Sequence, residues 1–432
     1  MIYNKYWESD RLKIKIVDSI CGSGKTSAII EMIKNDTSNN KYIYITPFLT
    51  EVKRIKDSCK NKHFCEPKYT GKGNKSFNFN NLILKGKNIV STHALFQKAT
   101  QDTIALIKSN NYILILDEVF NVVEQLNISK DDINLLFEQK MIKEENGYIL
   151  WLDDNYNGEF NYLKYLAQNK SLIMWKDTIL IWMFPVEVFK AFNDAYILTY
   201  LFEGQEQCYY YKMNGIEYDY YYATKENNKF VIKKKDENYK IIDKQIKENL
   251  KNKINIIQND KLNSVGSGNN YELSHNWFRN EENKDMVKQL KNNIYNVFNN
   301  IFPKEKQPKR HYENGKEIKS EPITLWTTFL DQKNRLKGKG YTKTFLSCTS
   351  RATNVYSKRY NIAYCLNVFN NPFIQKFFQS NGININQDLY ALSELIQFIF
   401  RSRIRNNENI NIFIPSIRMR TLLINWLENL LP

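Results

Sequence analysis

The amino-acid sequence predicts an α/β protein with a parallel sheet in each half of the chain, on three observations. Short runs rich in Ile, Val and Tyr alternate with stretches whose apolar residues recur at helical spacing. Those runs are apolar at consecutive positions, as strands buried on both faces are. The alternation breaks off in a polar middle region and then resumes, and 432 residues exceed what one ordinary core holds.

Taken in order, LKIKIV (12–17) is the first strand, ICGSGKT (20–26) the loop after it, and SAIIEMIK (27–34) a helix. KYIYIT (41–46) is the next strand, and LTEVKRIKDSC (49–59) a helix with Leu49, Val52 and Ile55 on one side. NIVST (88–92) and YILILDE (112–118) are two more buried strands. Residues 121–175 are more acidic and mixed, and read as a helical insertion. DTILIWMF (177–184) and AYILTYLF (195–202) return to strand. In CYYYKMNGIEYDYYY (208–222), Asn214 and Gly215 separate two aromatic runs, which predicts a hairpin with a mirror-image turn. A Lys-rich helix follows, with Ile242, Ile246, Leu250 and Ile254 at helical spacing, then the loop SVGSGNN (264–270) and a polar linker over 304–322.

The second sheet draws on ITLWTTF (323–329), KTFLSC (343–348), NIAYCLNVF (361–369) and NINIFIP (409–415). Ser416 caps a terminal helix whose buried stripe is Leu422, Leu423, Trp426, Leu427 and Leu430. The division expected is a first domain over 1–215 with its insertion at 121–175, an insertion or linker region over 216–320, and a second domain over 321–432.

A net charge of +16 favours a polyanionic partner, because lysines and arginines that neutralise a nucleic-acid backbone release condensed counterions. A well-solvated Lys-rich surface is the plainer reading of the same charge. No apolar h-region precedes the first strand, and SLIMWKDTILIWMFP is interrupted by Lys176 and Asp177, so a cytoplasmic protein without a membrane span is expected, in the host cytoplasm for a phage-encoded chain. Six cysteines without a disulfide-framework spacing fit a reducing compartment. Cys59, His63 and Cys65 offer three zinc ligands without a fourth; buried thiols and a surface histidine are the alternative.

The loop carries the first chemistry. Gly22, Ser23 and Gly24 allow a tight turn with amides facing inward, Lys25 can reach the outer phosphates of ATP, and the Thr26 hydroxyl can ligate Mg²⁺. The first glycine of GxxxxGK[ST] falls at Ser19. Asp117 and Glu118 end the apolar run YILIL, placing one carboxylate to hold Mg²⁺ and the next to orient or deprotonate water. Together these predict a nucleotide hydrolase using ATP and Mg²⁺.

The loop at Lys25, ITPFLTEVKRI (45–55), VSTHALF (90–96) and LDEVF (116–120) resemble the phosphate-loop, two nucleic-acid-contact and acid-pair motifs of superfamily 2 helicases, including bacteriophage-encoded helicase-like ATPases. LDEVF departs from DEAD and DEAH at its last two positions. The resemblance implies two RecA-like parallel-sheet domains in tandem, with helical and β-hairpin insertions. Thr46, Thr50, Ser91, Thr92 and His93 lie at or near strand ends, where hydroxyls and an imidazole can bond a phosphodiester; loop capping is the alternative for each.

In the second half the resemblance implies arginines that neutralise charge developing on the phosphates. QFIFRSRIR supplies Gln397, Arg401 and Arg405 at a four-residue repeat, expected on one helical face, with Arg401 the closest match. TFLSCTSRATNVY resembles the preceding motif, matching Arg351, Thr353 and Asn354, with Thr349 a backbone contact. Thr199 resembles the motif that couples the ATP and nucleic-acid sites. Tyr209, Tyr210, Tyr211, Tyr220, Tyr221 and Tyr222 form either a base-stacking platform or the packing of a hairpin.

The expected activity is an ATP-dependent helicase or translocase acting on DNA rather than RNA, with phage replication or recombination proteins as partners. A DNA-packaging ATPase and a non-catalytic, ATP-gated nucleic-acid-binding protein are the alternatives.

Overall fold

The computed structural model describes residues 13–69, 71, 73–303, 311–313, 316–318, 322–348 and 355–431. The chain divides into two compact units, one of residues 1–235 with 371–385 and the other of residues 236–370 with 386–432.

The first unit contains β1 (Ile14–Asp18), β2 (Lys41–Thr46), β3 (Ile89–Thr92) and β4 (Tyr112–Asp117). A smaller set follows: β5 (Val123–Gln125), β6 (Ile142–Glu145), β7 (Tyr148–Trp151), β8 (Leu172–Trp175) and β9 (Ile179–Met183). Then come β10 (Asp194–Thr199), β11 (Tyr218–Glu226) and β12 (Lys229–Lys234). The main sheet has seven strands in the order β12-β11-β1-β10-β4-β2-β3, parallel except for β12.

Consecutive residues of these strands feed opposite faces, which is why runs such as YIYI in β2 and YILIL in β4 are apolar at every position. Ile43, Ile45, Leu114 and Leu116 enter one core. Tyr42, Tyr44, Ile113 and Ile115 enter the other, against Ala28, Ile29, Ile30 and Ile33 of helix α1 (Lys25–Asn35).

Residues 121–175 are not a helical insertion. With β9 they form a five-stranded antiparallel sheet, β5-β9-β8-β7-β6, carrying two helices, Lys130–Glu138 and Asn161–Gln168. The strands are three to five residues long, too short for period to declare them, but their turns carry the signal. Asn146 and Gly147, at φ 55° and 81°, close β6 onto β7, and Lys176 and Asp177, at φ 54° and 56°, close β8 onto β9.

The hairpin expected over 208–222 also lies elsewhere. Residues Glu206–Met213 form a helix, and Gly215 at φ 64° terminates it as the Ile216 amide bonds back to the Tyr211 carbonyl at 3.0 Å. The hairpin is β11–β12, turning at Asn227 and Asn228, both left-handed. Tyr209, Tyr210 and Tyr211 are buried in the core, so they cannot be a stacking platform; Tyr222 is buried too, while Tyr220 and Tyr221 are half-buried.

The second unit contains β13 (Ile254–Ile256), the short pair β14 (His311–Glu313) and β15 (Lys316–Ile318), β16 (Thr324–Thr327), β17 (Asn361–Tyr364) and β18 (Ile410–Phe413). Its sheet is parallel throughout, in the order β13-β18-β17-β16. Ile254 begins a strand and does not extend the preceding helix, Glu237–Lys251. KTFLSC contributes a 3₁₀ turn and one bridge, Phe345 to Trp326, where a full strand was expected. Ser416 caps the last helix, Ile417–Leu427, by accepting from the Met419 amide, but Leu430 lies past its end and is exposed.

The six cysteines are free. Cys59 is buried, and burial raises its thiol pKa to about 11, while His63 is exposed. Cys65 is half-buried, and among the described residues no group of three His, Cys, Asp or Glu side chains is placed to hold a metal ion. Among them, too, no helix is long and apolar enough to cross a membrane.

Trp326 organises the second core: fully buried, it meets Tyr341 and Phe345 edge-on at 5.2 and 5.0 Å and donates to the Tyr341 carbonyl at 2.8 Å. Trp326→Ala is expected to cost about 3–5 kcal/mol, read as a lower midpoint in urea unfolding.

Candidate nucleotide site

The carboxyl ends of the parallel strands form the edge where open sheets bind ligands. Register alone sets a row along it: Asp18 pairs with Thr199, Leu198 with Asp117, Ile45 with Leu116, and Thr46 with Thr92. The seven-residue stretch from β1 into α1 stands at this edge.

Gly22 and Gly24 take φ of 84° and 88°, and Gly24 opens α1 without a side-chain cap, leaving the first-turn amides for a ligand. Gly24 is required twice over, since a Cβ there would also lie 2.3 Å from the Phe230 ring of β12. Ser19, in place of the usual glycine, accepts the Ala223 amide at 2.8 Å and so ties the start of the loop to β11. The Lys25 ammonium spans the loop, donating to the Ser19 and Ile20 carbonyls at 2.5 and 3.2 Å.

Thr26 reaches across β10 to Asp117, its Oγ1 lying 3.5 and 3.3 Å from the two carboxylate oxygens. Tyr44 Oη, fully buried on β2, donates to Asp117 Oδ2 at 3.0 Å. Burial, and then the neighbouring Glu118 charge, push the Asp117 pKa up to about 7 against the Tyr44 hydrogen bond. Glu118 sits at φ 68°, a left-handed backbone that is costly for a side chain of its size, held by its amide's bond to the Leu198 carbonyl at 2.9 Å.

Four buried side-chain oxygens of the first unit lack a hydrogen-bond partner among the described residues: Ser23 Oγ, Thr46 Oγ1, Glu118 Oε2 and Thr199 Oγ1. All four belong to this edge or its loop. Each such group costs about 1–3 kcal/mol in a folded core, which makes this edge the candidate binding site of the first unit. A hydroxyl and a carboxylate facing each other are the hard-oxygen pair that magnesium takes from protein, and the uncapped helix with its glycine turn suits a polyphosphate. The residues fit Mg²⁺ and a nucleoside triphosphate.

The two positions at which LDEVF departs from DEAD and DEAH are core residues. Val119 and Phe120 are buried, and Phe120 meets Phe184 edge-on at 5.0 Å while its amide donates to Gln207 Oε1 at 3.3 Å. His93 bonds the Asp117 carbonyl through Nε2 at 3.0 Å, which links it to the acid pair. Thr50 is exposed at the start of the helix Leu49–Ser58, and Thr92 is half-buried.

In the second unit, the helix Gln387–Ile399 ends before Arg401, so Gln397, Arg401 and Arg405 do not share a helical face. Phe400 is the C-cap, and Arg405 lies in the 3₁₀ turn Arg403–Asn406. Arg401 is buried and donates to the Cys348 carbonyl at 3.3 Å, which joins it to the segment that precedes Thr349. Thr349, Arg351, Thr353 and Asn354 lie outside the described residues.

Tyr44, Gln207 and Phe230 belong to the site without having been expected there. A buried tyrosine in the strand KYIYIT is the available signal for Tyr44, shared with Tyr42, because its hydroxyl needs a partner. Gln207 and Phe230 reach the loop and acid pair only through tertiary packing.

Comparison with known proteins gives two family matches: the YonV C-terminal Rossmann-like domain over residues 248–427 and the YonV middle domain over 123–182. The SPbeta prophage-derived protein YonV of Bacillus subtilis strain 168 is 45% identical over 428 residues, covering 96% of this chain and 99% of that one. Among solved structures, S. tokodaii Xpd4 aligns over 96% of this chain and 94% of its own, at 10% identity and a TM-score of 0.47. The DUF1998 helicase MrfA bound to DNA aligns over 97% of this chain and 46% of its own, at 10% identity and a TM-score of 0.31.

The raised Asp117 pKa makes a stability prediction whose sign follows from proton counting. Between the unfolded pKa near 3.9 and the folded value near 7, the folded state holds a proton that the unfolded state does not, so Asp117 lowers stability as pH rises through that window. Asp117→Asn is expected to raise the unfolding free energy at pH 8 by on the order of 2 kcal/mol and to change it little near pH 4, measured by urea unfolding across the range.

Proposed function

The chain belongs to the YonV family, and from that premise and the geometry of its phosphate loop we propose that it is an ATP-hydrolysing motor of superfamily 2 type, built on two RecA-like domains, that moves along nucleic acid. One observation carries the reading: Thr26, in the first turn of α1, and Asp117, at the end of β4, converge beside a strained Glu118 whose buried carboxylate oxygen has no partner among the described residues.

The amides of the glycine turn bind the phosphates, and Lys25 exchanges the Ser19 and Ile20 carbonyls for phosphate oxygens. Thr26 and Asp117 would hold Mg²⁺, which when bound supplies neutralisation of phosphate charge. Tyr44 fixes the Asp117 carboxylate. Glu118 orients the attacking water and accepts its proton. The role of neutralising charge on the transferred phosphoryl group is assigned to Arg401, with Gln397 and Arg405 near it in sequence, on the motif resemblance alone.

Thr92 and Thr50 offer hydroxyls to a nucleic-acid backbone, while the Thr46 hydroxyl, expected beside them, is fully buried; His93 connects that track to the acid pair through the Asp117 carbonyl. The net charge of +16 suits a polyanionic track, DNA ahead of RNA, with prophage replication or recombination proteins as partners.

Phosphate release measured with single-stranded DNA, duplex DNA and RNA at several salt concentrations tests this reading. Lys25→Ala is expected to lower turnover about 100-fold or more, Glu118→Gln to keep ATP binding while losing a similar factor, and Arg401→Ala to lose about 1,000-fold with binding retained. Stimulation by the true track should weaken as salt rises. Normal turnover in both Glu118→Gln and Arg401→Ala contradicts the proposal. Tight nucleic-acid binding without stimulated hydrolysis points instead to a non-catalytic, ATP-gated protein, and metal-dependent DNA cleavage to a packaging ATPase.

A further inference from the structure

The positive charge of the chain is concentrated on one flank of the main sheet. Residues 67–101, which run through the helix Lys75–Leu84 and β3, hold six lysines and no aspartate or glutamate. β3 is the edge strand, so this stretch covers the outer side of the sheet and favours a polyanion there.

Two exposed aromatic side chains stand among these lysines. Tyr69 is 77% exposed and Phe77 54%, whereas Phe79 and Ile83 on the same helix as Phe77 are buried in the core. The backbone that carries the two rings is fixed. The Lys68 amide donates to Asn78 Oδ1 at 2.9 Å and the Phe77 amide to Asn74 Oδ1 at 3.0 Å. The first of these bonds joins the residue before Tyr69 to the residue after Phe77, which makes the rings neighbours. Lys75 Nζ lies 5.5 Å from the centroid of the Tyr69 ring, and the Phe77 ring rests against Gly73, where a Cβ would come within 2.6 Å of it.

Two lengths place this patch on the ligand edge. Cys65 bridges Ile89 in parallel at the start of β3, on the side away from β2, so the chain beyond Cys65 follows the strand upward. Four residues at about 3.3 Å each carry it to Tyr69, a rise of about 13 Å that matches the four residues of β3. The ten-residue helix Lys75–Leu84, about 15 Å long, then brings it back to the start of β3. Tyr69 and the amino end of the helix therefore stand at the carboxyl end of β3, level with Thr92 and His93.

We propose that Tyr69 and Phe77, flanked by Lys68 and Lys75, form a stacking site for the bases of single-stranded nucleic acid beside the carboxyl end of β3. The rings take the faces of unpaired bases, which a duplex keeps stacked on one another, and the ammoniums neutralise the phosphates between them. This rests on the reading of the chain as a nucleic-acid motor and adds the state of its track. Hydroxyls such as those of Thr92 and Thr50 contact a backbone in either state, whereas exposed rings select the single strand.

Equilibrium binding of labelled oligo-dT, an abasic strand of the same length and a duplex to the full chain tests the site, in the wild type, Tyr69→Ala, Phe77→Ala, Tyr69→Phe and Phe77→Tyr. Each stacked base is worth about tenfold in affinity, so oligo-dT should bind on the order of 100-fold tighter than the abasic strand. Either alanine variant should lose about tenfold on oligo-dT and leave the abasic strand and the duplex unchanged, and the aromatic replacements should retain the wild-type affinity. Lys68→Gln and Lys75→Gln should weaken oligo-dT and the abasic strand alike and lower the salt slope by about 0.7 each. Equal affinity for oligo-dT and the abasic strand, or alanine variants that bind oligo-dT as the wild type does, overturn the stacking site and leave the motor reading intact. If the chain binds none of the three probes, the motor reading falls and the stacking site with it.

Discussion

The site depends on the approach of the Thr26 hydroxyl to the Asp117 carboxylate across an intervening strand. β1 and β4 are not neighbours; β10 separates them, so at about 4.8 Å per strand their ends stand roughly 10 Å apart. The gap is closed because the turn at Gly22 and Gly24 starts α1 over the sheet edge, and because the packing of Ala28, Ile29, Ile30 and Ile33 fixes the helix on the sheet face. Thr199, at the end of the strand between, has its own hydroxyl buried and without a partner among the described residues.

The surrounding structure maintains what this arrangement costs. A left-handed Glu118, an Asp117 held near neutrality by burial and a like charge, and four unpartnered oxygens each oppose folding. Opposing them are the Phe120 ring packed on Phe184, the Phe120 amide held by Gln207, and the Tyr44 hydrogen bond to Asp117. The second unit shows the same economy away from its edge. Buried Arg418 meets Asp388 at 2.8 Å, bonds the Val368 and Gln387 carbonyls and stacks over Phe369, a clamp with its donors engaged.

What the sequence revealed follows from locality. The main strands, the phosphate loop and the acid pair are contiguous, and a run that feeds two cores is apolar at every position. The antiparallel sheet over 123–183 is not legible in the sequence because strands of three to five residues carry little period, and the Asn-Gly signal alone does not separate Asn146–Gly147, a hairpin turn, from Asn214–Gly215, a helix end. The same dipeptide closes a hairpin in one place and a helix in the other: Asn146 is left-handed at φ 55°, whereas Asn214 is at φ −96° and the Ile216 amide bonds back to the Tyr211 carbonyl. Arg401 was expected on a helix because a four-residue repeat looks helical, but the chain leaves the helix at Phe400. Phe230 and Gln207 were illegible because they act from more than 80 residues beyond the groups they touch.

Membership of the YonV family, with 45% identity along nearly the whole chain, extends the question of this site to a prophage relative. The most direct test of the central claim is a double-mutant cycle on Thr26→Ala and Asp117→Asn, read by the affinity for Mg·ATP. Residues that share one bound ion are expected to couple by about 1 kcal/mol or more, with the double variant losing less than the sum of the singles. Affinity losses that add within about 0.3 kcal/mol, or no Mg·ATP binding to the unmodified chain, would contradict the account.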